Sequence, residues 1–216
     1  MTSAPPDLAG RRVPLAVKLA WTAWMAFWVP VYWVENGPAN FLWLCDVANF
    51  VLLVALWRES ALLVSSQAAG VLLVQTLWAV DFLAAVAFGV HPFGATVYMF
   101  DEASPLGLRA LSLFHLAVPP VLVWAVWRLG YDRRGWRLET VLVWLLLPIC
   151  WLFTDPERNL NWVFEPFDRP QTLLSPAAYL VALMAAYPLL LFLPSHLALT
   201  AWARWRGRLR LLPEES

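Results

Sequence analysis

The chain contains 216 residues, of which 61% are hydrophobic and 14% are charged, and its formal net charge is zero. Soluble globular domains carry about 25% charged residues. This composition, with a mean hydropathy of +0.62, therefore excludes the class of soluble globular proteins. The positive charges form only short clusters and do not predict nucleic-acid binding. The sequence predicts a polytopic membrane protein.

Six apolar runs are long enough to cross a bilayer with modest tilt. They cover about 13–34, 41–58, 61–82, 108–129, 138–155 and 176–203. The interval 83–107 is partly apolar, but its glycines, prolines and acidic pair predict a loop at the membrane interface and not a seventh span. No hydrophilic stretch is long enough for a separate domain, so residues 1–216 are predicted to form a single all-α bundle.

The distribution of Lys and Arg predicts the orientation of this bundle. Twelve of the fifteen lie at the two ends of the chain and in alternate connections, whereas Arg109, Arg158 and Arg169 lie on the opposite side. Cytoplasmic loops of membrane proteins carry the excess of positive charge. Both termini are therefore predicted to be cytoplasmic.

Tryptophan is enriched at membrane–water interfaces, where its apolar ring and its N–H group meet different surroundings. We interpret most of the tryptophans in the first, second and last runs as interfacial anchors. They are Trp21, Trp24, Trp28, Trp33, Trp43, Trp57, Trp202 and Trp205.

The fourth run carries His115 four residues before Pro119. Because proline has no N–H group, Pro119 leaves the carbonyl of His115 without a helical partner, and Pro120 does the same for Leu116. We expect a kink beside an ionisable ring. Polar groups at this depth need partners from neighbouring helices, water or a ligand.

An ionisable side chain at the centre of a membrane helix costs about 2.5 to 3.5 kcal/mol on insertion scales, so each one is a candidate functional residue. In the predicted topology, several helices bring polar side chains to one layer near the outer surface. These side chains are Cys45, Asp46 and Asn49 on the second helix, Gln75 and Asp81 on the third, His115 on the fourth, Asp155 at the end of the fifth, and Asn159 in the loop that follows.

A histidine and a carboxylate at equal depth favour proton transfer. His115 is the candidate general base, Asp46 is its candidate orienting partner, and Cys45 is a candidate nucleophile. The alternative is that these side chains only tie helices together. A metal site using Asp81 ranks lower, because no second histidine lies at this depth. We predict no metal and no cofactor.

Six segments carry a resemblance that covers nearly the whole chain. They are GPANFLWLCD (37–46), LLVQTLWAVDFL (72–83), YMFD (98–101), LSLFHLAVPP (111–120), RLGYDRRG (128–135) and TDPERNLNWVF (154–164). They look like a widespread group of small bacterial integral-membrane proteins without assigned function. The resemblance implies a multi-pass protein of the inner membrane. That group often has Ser where this chain has Cys45.

A more distant resemblance concerns a small nucleophilic residue early in the second helix and a histidine high in a later one. This order is similar to androgen-induced-type membrane hydrolases of fatty-acid esters, which pair Thr with His, and to a transmembrane acyltransferase of ether phospholipids, which pairs Cys with His. Only Cys45 and His115 match. The resemblance implies a lipid-acting acyl hydrolase or acyltransferase, with membrane lipids as its partners. The alternative is a non-catalytic membrane binding or assembly subunit.

Overall fold

The computed structural model describes residues 12–206 and 209–210, and its architecture is all-helical, as predicted. The six main helices are α1 (Leu15–Asn36), α2 (Leu44–Arg58), α3 (Ala61–Phe88), α4 (Leu106–Leu129), α5 (Gly135–Phe153) and α6 (Pro176–Trp205). Two short segments, Tyr131–Asp132 (β1) and Leu209–Arg210 (β2), pair in parallel. Arg11 and Arg208, which contribute to the predicted orientation, lie outside the described residues.

Five of these helices, all except α2, are long and apolar enough to cross a membrane. This supports the prediction of a membrane protein. The helix α2 has only 15 residues and is therefore about 22 Å long at 1.5 Å per residue. A 3-10 turn at Pro38–Leu42 precedes it. We call the end of the bundle with the α2–α3 turn at Glu59 the inner end, and the end with the loops 89–105 and 154–175 the outer end.

Large apolar side chains cover the outside of the bundle. Phe88 and Phe153 are 80% and 78% exposed, and Leu145, Val181 and Leu190 on other helices are also exposed. A soluble monomer rarely presents so much contiguous apolar surface. The outer surface of the helices therefore suits a hydrocarbon environment.

The helices differ from the predicted spans at particular points. The helix α3 continues six residues beyond 82, to Phe88, and Gly89 then ends it in the left-handed conformation. The helix α4 departs from α-helical bonding at Leu111–Leu113, a 3-10 turn directly before His115. Pro119 and Pro120, where we expected the irregularity, lie inside a continuous α-helical segment.

The helix α3 is the centre of the fold and packs against α2, α4, α5 and α6. Its eight residues 64–71, VSSQAAGV, are buried on every face. Small side chains allow neighbouring helices to approach α3 from all sides. In the outer half of α3, burial narrows to one face that contains Gln75, Trp78, Asp81 and Ala85.

Two glycines set the distance between α3 and α5. A Cβ atom on Gly135 would lie 2.6 Å from the backbone carbonyl carbon of Ser65, and a Cβ atom on Gly70 would collide with the side chain of Glu139. Atoms cannot approach this closely, so any side chain at either position would push the two helices apart. The close contact of α3 and α5 therefore depends on glycine at both positions.

Part of the tryptophan interpretation is wrong. Trp28 is fully buried and Trp21 is 7% exposed. The Trp28 ring packs against Tyr32 and Phe41 at centroid distances of 4.8 and 5.3 Å, and against Phe114 of α4 at 5.6 Å. These side chains form a core on the inward face of α1. Trp33, Trp57 and Trp205 remain exposed.

We expect Gly135→Ala to lower the free energy of unfolding by about 1–3 kcal/mol, because the added methyl group meets backbone atoms of α3. Denaturant unfolding in detergent, followed by circular dichroism, measures this change. Gly107→Ala is the matched control, since nothing lies within 4 Å of a Cβ atom there. Equal stability of the two variants would contradict the proposed close contact.

Candidate functional site at the outer end

The predicted polar layer is built from three helices and a loop. Trp78 of α3 stacks on the His115 ring of α4, with the ring centroids 4.5 Å apart. Tyr98, from the loop after α3, forms side-chain hydrogen bonds with Ser112 and Trp78 and interacts electrostatically with Asp46 and Cys45 of α2. Tyr98 therefore shares two neighbours, Trp78 and Ser112, with His115 and also interacts with Asp46.

His115 is held rigidly and is 9% exposed. Its ring also stacks on Phe114 at 4.1 Å. Its Nδ1 atom lies 2.8 Å from the carbonyl oxygen of Ser112. Because a carbonyl only accepts hydrogen bonds, Nδ1 must carry the proton, and in the neutral ring Nε2 is then the bare acceptor. The side chain is therefore preset as a base at Nε2.

Asp46 lies in the first turn of α2 and is 1% exposed. Its Oδ1 atom is 3.8 Å from the Cys45 thiol, and its Oδ2 atom is 3.5 Å from the Asn40 amide nitrogen. Both are long for hydrogen bonds. The expected hydrogen bond between Asp46 and His115 is absent among the described residues, and the partner that orients His115 is instead the Ser112 carbonyl.

Asn40 connects Asp46 to a positive charge on the outer loop. The Arg158 guanidinium donates to the Asn36 carbonyl at 2.6 Å and lies 3.3 Å from the Asn40 side-chain oxygen. Tyr32 also forms a side-chain hydrogen bond with Asn40. The Asn40 amide group therefore lies between the Arg158 guanidinium and the buried Asp46 carboxyl.

Tyr98 is 44% exposed as a residue, but its hydroxyl group is surrounded by protein. Desolvation of this group raises the pKa of Tyr98 to about 12, although the hydrogen bonds with Ser112 and Trp78 act in the opposite direction. The raised pKa keeps the phenol protonated throughout the physiological range. Tyr98 is therefore a neutral hydrogen-bond donor beside His115.

Asp81 has a structural role. Its carboxylate is fully buried and accepts hydrogen bonds from the backbone N–H groups of Phe93, Gly94 and Thr96 at 2.6, 3.2 and 2.9 Å. The Thr96 hydroxyl donates to it at 2.6 Å. These bonds close the loop 89–105 over the end of α3.

Asn159 and Asp155 shape the second outer loop in the same way. The Asn159 side-chain oxygen accepts from the N–H groups of Phe164 and Glu165, and its amide nitrogen donates to the Glu165 carbonyl at 2.8 Å. Asp155 caps an exposed turn by accepting from the Glu157 N–H group at 3.0 Å. Both side chains serve the loop backbone.

Asn49 and Gln75 are fully buried. The Asn49 amide nitrogen donates to the Cys45 carbonyl within α2 at 3.0 Å, and its oxygen has no hydrogen-bond partner in the described chain. Neither polar atom of the Gln75 side chain has one. These two amides therefore keep unused hydrogen-bonding capacity next to the layer.

Asn161 was missed as an organising residue. It is 2% exposed, and its side-chain oxygen accepts from the Leu44 N–H group at 2.8 Å, while its amide nitrogen donates to the Leu42 carbonyl at 2.7 Å. It caps the start of α2 from a loop that lies 117 positions along the chain. A buried helix start needs such a partner, but the sequence does not identify which residue supplies it.

A second buried polar cluster, at the inner end, was also missed. It contains Glu139 of α5 together with Ser66 and Gln67 of α3. All three lie four to six residues from the inner end of their helices. Their equal depth below the inner surface is the signal in the sequence that relates these three residues.

The described residues contain no group of three or more His, Cys, Asp and Glu side chains that could hold a metal ion. Comparisons with protein-family models, curated proteins and solved structures gave no match to this chain.

We expect Asp81→Asn to lower the free energy of unfolding by roughly 1.5–3 kcal/mol, because an amide cannot accept all the hydrogen bonds that the carboxylate accepts. Limited proteolysis should also cut the loop 89–105 faster. The matched control is Asp101→Asn, where an exposed carboxylate accepts one backbone bond, from Ala103 at 3.0 Å. Unchanged stability of Asp81→Asn would contradict its structural role.

Proposed function

We propose that the chain is an integral-membrane enzyme that hydrolyses or transfers an acyl group of a membrane lipid at the outer polar layer, with His115 as the general base. One observation carries the proposal. His115 donates from Nδ1 to the Ser112 carbonyl, and Nε2, the basic nitrogen, has no hydrogen-bond partner among the described residues. Stacking on Trp78 and Phe114 fixes the direction in which that nitrogen points.

The topology that we propose has six spans and cytoplasmic termini in the inner membrane. Five spans are the helices with sufficient length. The sixth combines the 3-10 turn Pro38–Leu42 with the short helix α2. An even number of spans agrees with the excess of Lys and Arg on one side of the chain. In this topology the outer polar layer faces the outer leaflet, where ester groups of lipids lie near the interface.

The reaction that this arrangement supports is ester hydrolysis. His115 Nε2 takes a proton from water, and the hydroxide attacks the carbonyl carbon of the ester. The ester C–O bond then breaks, and the imidazolium returns the proton to the leaving alkoxide, which gives a carboxylic acid and an alcohol. If the hydroxyl group of a second lipid replaces water, the same steps transfer the acyl group.

Two neighbouring groups support charge that develops during the reaction. The Tyr98 phenol stays protonated because its pKa is raised to about 12, so it can donate a hydrogen bond to the oxyanion of the tetrahedral intermediate. Asp46 interacts electrostatically with Tyr98, and its ionised form favours the positive imidazolium. In this proposal Asp46 acts at a distance through its charge, while the Ser112 carbonyl orients His115.

Cys45 fits a nucleophile poorly. Its sulfur contacts the Asp46 carboxyl, with Sγ 3.8 Å from Oδ1, and a carboxylate opposes the negative charge of a thiolate. No hydrogen bond links Cys45 to His115 in the described part of the chain. Water or a lipid hydroxyl is therefore the better nucleophile.

The second candidate function is a non-catalytic binding or assembly subunit. Specific hydrogen bonds favour it, because Asp81, Asp155 and Asn159 all serve the backbone of the outer loops. In that case His115 contributes only to packing between α3 and α4. The two functions predict different results when Nε2 of His115 is removed. The enzyme should lose turnover, whereas the subunit should lose only stability.

We expect His115→Asn to reduce lipid-ester turnover by roughly 10²- to 10⁴-fold. Asparagine keeps a donor for the Ser112 carbonyl but lacks the base at the Nε2 position. The measurement is fatty-acid release from labelled ester lipids in proteoliposomes, together with unfolding of the same samples. His91→Asn, a loop histidine 3.2 Å from the Thr96 hydroxyl, is the control. Full turnover in folded His115→Asn would exclude the enzymatic role, and reduced stability without any wild-type turnover would favour the subunit.

We expect Cys45→Ser to keep most of the turnover, because the proposed nucleophile is water or a hydroxyl group. Cys150→Ser, at the other cysteine, is the matched substitution, and both variants are assayed in the same proteoliposomes. Trapping of an acyl thioester by mass spectrometry, with loss of turnover only in Cys45→Ser, would show instead that Cys45 is the nucleophile.

A further inference from the structure

The strongest unassigned feature is the carboxyl group of Glu139 near the inner end of α5. It is completely buried. Its Oε2 atom accepts hydrogen bonds from the Ser66 hydroxyl at 2.6 Å and from the Gln67 amide nitrogen at 2.8 Å. Its other oxygen, Oε1, has no hydrogen-bond partner among the described residues, and neither does the Gln67 side-chain oxygen.

The two oxygens of Glu139 have unequal hydrogen bonding. This inequality suits a neutral carboxylic acid better than an ionised carboxylate. An ionised carboxylate spreads its charge over both oxygens, and burial requires donors for both. A neutral carboxylic acid has one carbonyl-like acceptor and one hydroxyl donor. Two donors converge on Oε2 and none reaches Oε1, so Oε1 is the oxygen that suits a proton.

The surroundings of Glu139 also disfavour a charge. Both of its partners are neutral side chains. Seven titratable or charged side chains lie near this end of α5: Tyr131, Asp132, Arg133 and Arg134 before the helix, Arg137 on it, and His196 and Arg204 on α6. Asp132 is paired with Arg134 at 2.7 Å and His196 lies 2.9 Å from the Tyr131 hydroxyl, while the four arginines are exposed. No cation bonds to Glu139.

The location of the carboxyl group is specified by the helix contact. Gly70 provides the space into which Glu139 packs, since a Cβ atom there would overlap its side chain. Ser66, Gln67 and Gly70 lie on consecutive turns of α3 and so meet the same region of α5. The cluster is built into the contact between α3 and α5 that Gly70 and Gly135 allow.

An open polar cleft lies at the inner surface close to this cluster. Ser65, next to Ser66, accepts a hydrogen bond from the Asp132 backbone N–H group at 2.8 Å. Asp132 also lines the cleft, which has a volume of about 590 Å³, together with Arg58, Glu59 and Arg134.

We propose that Glu139, Ser66 and Gln67 form a proton-binding site, in which Glu139 holds an exchangeable proton on Oε1. The ligand is the proton itself. This inference concerns the opposite end of the bundle from His115 and does not rest on the proposed lipid chemistry.

The test is infrared spectroscopy of the full chain in liposomes at pH 7 in KCl, comparing wild type with Glu139→Gln. We expect a carboxylic-acid C=O stretching band in the wild type that Glu139→Gln lacks, while any band from Asp46 cancels in the difference. In D2O the band should move to lower frequency as the proton exchanges. The matched control is Glu59→Gln, which removes an ion-paired carboxylate 2.6 Å from Lys18 and should leave the acid band unchanged.

Identical acid bands in wild type and folded Glu139→Gln overturn the proposal. A band that disappears when NaCl replaces KCl assigns the site to sodium and also overturns it. A band that stays fixed in D2O shows that the proton does not exchange and also overturns the proposal. If Glu139→Gln does not fold, Ser66→Ala gives the test, because loss of its hydrogen bond should shift the band to higher frequency, and an unshifted band counts against the site.

Discussion

The inner half of α3 is the constraint on which the rest of the structure depends. Eight consecutive residues are buried on all faces, which requires small side chains and glycine at the contact with α5. The polar residues in this stretch are either short serines or have a hydrogen-bond partner on α5, as Gln67 has in Glu139. The helices α2, α4, α5 and α6 pack directly on α3, so the position of His115 on α4 also depends on it.

At the outer end, a second constraint determines which polar side chains are available for chemistry. The loops 89–105 and 154–175 return to the helix ends, and their backbone N–H groups need acceptors. Asp81 serves the first loop, while Asn159 serves the second, and Asn161 caps the start of α2. After these groups are assigned, the acid–base candidates that remain are Asp46, His115 and Tyr98.

The two polar centres share a physical pattern. In each, a buried ionisable group has one side satisfied and one side open. His115 donates from Nδ1 and leaves Nε2 as an acceptor, and Glu139 accepts at Oε2 and leaves Oε1 without a partner. Such half-satisfied groups are costly in a low-dielectric interior, which is why both proposals assign them a function.

The sequence by itself determined the class of protein, the helical architecture and the approximate helix positions, because hydropathy and run length are local properties. It also predicted that Asp46 and His115 lie at one depth, since depth follows from counting residues along each helix. Tertiary structure decided the rest. Asp81 is structural because a loop 12 to 15 residues away folds back onto it. His115 bonds Ser112 and not Asp46, because a 3-10 turn brings that carbonyl within reach. Glu139 became a site because two glycines bring α3 and α5 together. Loop conformation and helix rotation depend on contacts between distant segments, which no local pattern specifies.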